Sequence, residues 1–71
     1  MARYCVNMNA QPITGDHEVH NLSSGCNHLP DTSNQLSLGE HSNCQSAVLA
    51  AKRIYPRADG CAYCCPQCHS R

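Results

Sequence analysis

Hydrophobic and polar residues alternate near the start of the chain. Within 3–8, Tyr4 and Val6 fall on one face of an extended segment, which predicts a short half-buried strand. The stretch 17–22 alternates in the same way and predicts the hairpin partner of that strand. A weaker alternation over 35–39 is compatible with a third short strand.

One segment instead has the period of a helix. Apolar residues recur from Cys44 to Tyr55 at the spacing of a single helical face. Ser42, with Gln45 three residues later, fits a capping box and predicts where this helix begins. Pro56 is expected to end it, because proline cannot continue the hydrogen-bonding pattern.

The order of these elements predicts the fold class. We expect one small α+β domain over 1–71, in which an antiparallel β-hairpin, with or without the third strand, packs on one α-helix. Asp59-Gly60 is expected to form the turn into a cysteine-rich tail.

Composition shows that such a core is thin. Ile, Leu and Val supply ten of the 71 residues, and Phe and Trp are absent. A domain of this size with so few large apolar side chains needs a metal ion or disulfides. A structural zinc ion contributes on the order of 10 kcal/mol, enough to make up the deficit.

The cysteines favour zinc in a reducing compartment. There are seven, an odd number, the first residues carry no apolar signal segment, and Cys64 and Cys65 are adjacent. In cytoplasmic proteins clustered Cys and His more often bind metal than form disulfides. The alternative is an exported peptide held together by disulfides.

The cysteine-rich tail supplies the first half of a zinc site. Its Cys-x-x-Cys pair has the spacing of two zinc ligands on one turn. The second pair is expected from His20, at the end of the second strand, and Cys26, in the loop that follows. The predicted ligands are therefore His20, Cys26, Cys61 and Cys64.

Other residues of the tail compete with this set. Cys68-His69 could replace the upstream pair and make a cluster confined to the tail. Cys5 and Cys65 are interpreted as spectators. Cys44 lies on the apolar stripe of the helix and is expected to be a small buried side chain.

Two resemblances rest on these residues. The chain resembles a group of short uncharacterised bacterial proteins of zinc-binding-like pattern, through Asp16 to His20, Gly60 to Cys64 and Cys68-His69. Over 20–64 it also resembles Ada-type zinc-binding domains, whose His or Cys, later Cys and final Cys-x-x-Cys match the predicted ligands. These resemblances imply a zinc-binding fold, but they do not imply a catalytic activity.

Function is therefore expected to be non-catalytic. His17-Glu18-Val19-His20 lacks metalloprotease spacing, and its two histidines face opposite sides of a strand. The protein is expected to be a zinc-stabilised interaction module with a protein or nucleic-acid partner. No long apolar run predicts a membrane span, and five basic residues balance five acidic ones.

Three further hypotheses concern single residues. A thiol-reactive redox sensor or acceptor would use Cys44, Cys65 or Cys68. Tyr63 is either a lid on the metal site or a contact for a partner. The side chains that are candidates for a small basic patch are Arg53, Arg57 and Arg71.

Overall fold

A computed structural model describes residues 1–70 and shows one helix against a four-stranded mixed sheet. Arg71, part of the suggested basic patch, lies outside the described residues. The elements are β1 (Ala2–Asn7), β2 (His17–Asn21), β3 (Gln35–His41), α1 (Cys44–Lys52) and β4 (Ala58–Gly60). The predicted α+β class is confirmed, and the optional third strand is present as β3. No helix within 1–70 is long and apolar enough to cross a membrane.

The strand order is β3-β1-β2-β4, so β1 lies inside the sheet. It pairs antiparallel with both β2 and β3, as the hairpin prediction requires. Pleating puts Val6 and its partner Val19 on one face, and Cys5 and its partner His20 on the other. All four side chains are fully buried, so the prediction of a half-buried strand is wrong for the centre of β1.

The helix covers the Val6 face with the predicted stripe. Its buried residues are Cys44, Ala47, Val48 and Ala51. The stripe ends earlier than predicted, because α1 stops at Lys52 and Ile54 is 52% exposed. The predicted cap is also wrong by one residue: Asn43, and not Ser42, accepts the Ser46 N–H through its side-chain oxygen at 3.0 Å.

Asn43→Ala is expected to destabilise the chain by about 1 kcal/mol, because the Ser46 N–H loses its acceptor. The neighbouring Ser42→Ala is the matched control, since both side chains are exposed and only Asn43 caps. Thermal unfolding should separate the two variants by several degrees. An equal loss in both would show that Ser42 shares the capping role.

The tail returns to the sheet through a strand that the sequence did not predict. Asp59-Gly60 is predicted to form a turn but lies in β4, which runs parallel to β2. Asp59 is buried, and its carboxylate accepts the N–H and hydroxyl of Ser70. Gly60 has no room for a side chain, since an added Cβ would lie 2.7 Å from Cys68 Cβ.

A disulfide between Cys44 and Cys68 joins the start of α1 to the tail. Cys44 is buried as predicted, but it is bonded rather than free. Closing a loop with a sequence separation of 24 stabilises a fold by about 3 to 4 kcal/mol through the entropy of the unfolded chain. A bound metal ion would therefore be a second cross-link that stabilises this domain, in addition to the disulfide.

Candidate metal centre

The four predicted ligands lie together. One donor atom from each of His20, Cys26, Cys61 and Cys64 falls within 4.8 Å of all the others. Cys26 Sγ is 4.0 Å from Cys61 Sγ, and Cys64 Sγ is 3.6 Å from His20 Nδ1. Zn–S bonds of about 2.3 Å in a tetrahedron set two sulfurs about 3.8 Å apart. The spacing therefore fits one tetrahedral metal ion.

Parallel pairing of β2 and β4 creates this convergence. Because parallel strands end at the same edge of a sheet, His20 in β2 and Cys61 directly after β4 come close together. Cys61 is fixed there by its N–H, which donates to Val19 O at 3.0 Å. The next turn closes when the Cys65 N–H donates to Cys61 O, and this turn presents Cys64 beside Cys61.

Backbone amides point at all three sulfurs of the cluster. Each sulfur accepts one N–H over an N–Sγ distance of 3.4 Å. The donors are His28 for Cys26, Tyr63 for Cys61 and Asn21 for Cys64. A hydrogen bond to the ionised form of a group favours that form, so these amides would stabilise thiolates. Three thiolates and one divalent cation leave one negative charge, which the three donors would partly offset.

Burial shifts the pKa of two members of the cluster, His20 and Cys64, toward their neutral forms. It lowers the pKa of His20, which keeps the imidazole in the neutral form that ligates metals. It raises the pKa of the Cys64 thiol well above its usual range, despite the opposing Asn21 amide. A bound divalent cation reverses the effect on the thiol, because it favours the thiolate directly.

Glu18 is a further part of the site that the sequence reasoning missed. His20 Nε2 is buried and has no hydrogen-bond partner among residues 1–70, while Glu18 Oε1 lies 3.6 Å away. A carboxylate in this position orients a metal-binding histidine and raises its basicity. The signal was present in the sequence, because residues two apart on a strand share one face.

Glu18→Gln is expected to weaken metal binding about 10- to 100-fold, the usual cost of losing a carboxylate behind a histidine ligand. Glu40→Gln is the control, since Glu40 is exposed on β3 and loses the same charge. Competition titration with a chromophoric chelator measures both affinities. Equal affinities for the two variants would contradict the positioning role of Glu18.

The competing residues do not join the cluster. Cys68 is bonded to Cys44 and cannot ligate a metal in this state, so a site confined to the tail is not formed. The His69 ring donates from Nδ1 to Gly60 O at 3.0 Å. Cys5 and Cys65 are buried free thiols outside the group of four. Burial raises the pKa of Cys5 to about 11.

Two aromatic rings stack beside the centre. The His28 and Tyr63 rings lie 3.8 Å apart and nearly parallel, and each follows a cysteine of the cluster by two residues. Tyr63 is still 71% exposed, so it is more a surface platform than a closed lid. His17, the other histidine of the strand motif, stacks on Tyr55 and lies outside the cluster.

No protein-family model matches the chain, no curated protein matches it, and no solved structure matches it. The cluster of one histidine and three cysteines therefore carries the functional argument. It could hold a metal ion in a small domain that a disulfide also stabilises.

Proposed function

We propose that this protein is a non-catalytic zinc-stabilised interaction domain. The observation that supports this best is the convergence of His20, Cys26, Cys61 and Cys64, with a backbone N–H directed at each sulfur. Thiolate and imidazole ligands in a tetrahedron favour zinc over magnesium or calcium. Four protein ligands leave no open position for substrate or water, which is typical of structural zinc and not of catalytic zinc.

The partner class that fits best is a protein. Basic and acidic residues are equal in number, so the phosphate attraction that drives nucleic-acid binding is weak. The exposed Tyr63 ring and its stacked neighbour His28 offer an aromatic contact next to the metal centre. Tyrosine is enriched at protein interfaces because its ring is apolar and its hydroxyl is polar.

Two observations bear on the cellular compartment. Five free cysteines, three of them in the cluster, support the cytoplasm, where thiols stay reduced. The Cys44–Cys68 disulfide supports the second candidate, an exported domain held together by disulfides. The thiol-reactive hypothesis is not supported at Cys44, Cys65 or Cys68. Cys44 and Cys68 are bonded to each other, and Cys65 is only 1% exposed.

Mass spectrometry of the full chain purified in reducing medium tests these alternatives together. The native mass should exceed the denatured mass by one zinc ion per chain, and thiol alkylation should leave the three cysteine ligands unmodified until zinc is removed. A native chain without metal, with its cysteines oxidised in pairs, would contradict the proposal and favour the exported domain. Blocking all thiols in intact cells before lysis then shows whether Cys44–Cys68 forms in the cytoplasm.

A further inference from the structure

The four candidate ligands differ in their access to solvent. His20 and Cys61 are buried, with 0% and 1% of their surface exposed, whereas Cys26 and Cys64 are partly exposed. A small reagent that approaches from outside therefore meets Cys26 or Cys64 first. Reactivity of a thiolate toward oxidants follows its exposure, so these two sulfurs are the candidates for modification.

Cys26 is the ligand on the least constrained segment. It lies in the loop between β2 and β3, and 25–30 belongs to no strand or helix. The residues on both sides of Cys26 are exposed. Cys64, in contrast, packs against the hydrophobic core, and its sulfur accepts an N–H from the end of β2, whereas the N–H on Cys26 comes from its own loop. A movement of about 2 Å is therefore easier for Cys26 than for Cys64.

Cys61 is the thiol that Cys26 would meet. The two sulfurs are 4.0 Å apart, and a disulfide needs about 2.05 Å. Cys61 cannot move far, because its N–H and its carbonyl are both in backbone hydrogen bonds. The loop that carries Cys26 can close the remaining distance. These positions make Cys26 the sulfur that an oxidant in solvent reaches first, and Cys61 the buried sulfur that then forms the disulfide with it.

We propose that Cys26 is a site of oxidation by hydrogen peroxide, and that it forms a disulfide with Cys61 and releases the metal. This inference rests on the proposed zinc site. The Cys26 thiolate attacks one peroxide oxygen, the O–O bond breaks, and a sulfenic acid forms while hydroxide leaves. The Cys61 thiolate then attacks the Cys26 sulfur, an S–S bond forms and a second hydroxide leaves. The two thiolates lose two electrons, the peroxide gains them, and two protons from solvent complete two waters.

The oxidised chain keeps its fold in this scheme. His20 and Cys64 alone remain as ligands, which is too few to hold the ion. The new disulfide nevertheless links the Cys26 loop to the tail, across a sequence separation of 35. The Cys44–Cys68 disulfide is untouched and still ties α1 to the tail. Oxidation therefore works as a switch that removes the metal and does not denature the domain.

Zinc-loaded full chain treated with increments of hydrogen peroxide tests the proposal. We expect loss of the one zinc ion, detected with a metal-sensing dye, while free thiols fall from five to three in the metal-free denatured product. Peptide mapping should find Cys26–Cys61 beside Cys44–Cys68, and the helical circular dichroism should persist. Zinc that stays bound in excess peroxide, or a disulfide from Cys64 to another ligand, would overturn the inference.

Two variants separate Cys26 from Cys64. Cys26→His keeps a zinc ligand but removes the sulfur, and peroxide should release its zinc about tenfold more slowly than from the unmodified chain. Cys64→His removes the other partly exposed sulfur in the same way, and peroxide should release its zinc about tenfold faster than that of Cys26→His. Equal sensitivity of the two variants would overturn the role of Cys26.

The zinc content before peroxide is added distinguishes the two proposals. An unmodified chain that carries no zinc contradicts the proposed function. The same peroxide treatment and peptide mapping still test the pairing of Cys26 with Cys61 in that metal-free chain. If the variants fail to load zinc, the disulfide map of the unmodified chain decides the inference alone.

Discussion

Cys64→Ala is expected to abolish stoichiometric zinc binding and to leave most molecules unfolded, whereas Cys65→Ala is expected to retain both zinc and fold. The pair is well matched, because the residues are adjacent and lose the same atom. Cys64 Sγ lies in the ligand cluster, 3.6 Å from His20 Nδ1, while Cys65 packs in the hydrophobic core.

The size of the effect follows from the stability of small domains. At about 0.05 to 0.15 kcal/mol per residue, a chain of this length is stable by roughly 4 to 11 kcal/mol. A structural zinc ion contributes about 10 kcal/mol, so its loss removes most of that stability. Cys65→Ala removes one buried sulfur and should cost about 1 kcal/mol, as the loss of a buried methyl-sized group does.

Metal analysis of the purified variants and thermal unfolding followed by circular dichroism check this expectation. Cys64→Ala should contain less than about 0.2 zinc per chain, against about one zinc per chain for Cys65→Ala. Loss of zinc in both variants to the same degree would show that Cys65 contributes to the site, and the ligand assignment would then be wrong.

The sequence was sufficient to identify the residues that form the cluster. Alternation along β2 placed His20 at the end of a strand, and the spacing of Cys61 and Cys64 brought two sulfurs onto one turn. These signals are local, because each depends on a few consecutive residues. Glu18 followed the same rule, two residues before His20, and could have been predicted from it.

The Cys44–Cys68 disulfide could not be predicted in this way. It depends on the path of the tail, which passes tightly over Gly60 and returns to the start of α1. A pairing between residues 24 apart leaves no pattern in either local segment. Zinc and disulfides were weighed as alternatives, yet a disulfide and a cluster that could hold a metal ion occur in the same structure.

The failure to predict β4 from the sequence has a similar cause. Ala58–Gly60 has low strand propensity, and Asp-Gly is a common turn sequence. It becomes β4 because its backbone pairs with β2 across the sheet and the Asp59 carboxylate is satisfied by Ser70. Tertiary contacts decide the conformation of so short a segment, and those contacts come from residues far away in the sequence.

Acid is expected to release the metal and unfold the chain. Burial lowers the pKa of His20, so its contribution to stability is complete above the unfolded value near 6.5 and is lost as pH falls. Thiolates bound to zinc act in the same direction, because the cation holds their pKa below the free value of about 8.5. Without metal the sign reverses for Cys64: burial raises its pKa, so that stability is lost as pH rises.

The midpoint of acid unfolding should therefore depend on free zinc. Three thiolates and one imidazole take up four protons when one zinc ion leaves, so a tenfold rise in free zinc should lower the midpoint by about 0.25 pH unit. Circular dichroism between pH 7.5 and 4 at several buffered zinc concentrations measures this shift, with chelator-treated protein as the control. A midpoint that does not move with zinc would contradict the metal centre, because a fold held only by disulfides exchanges no metal for protons.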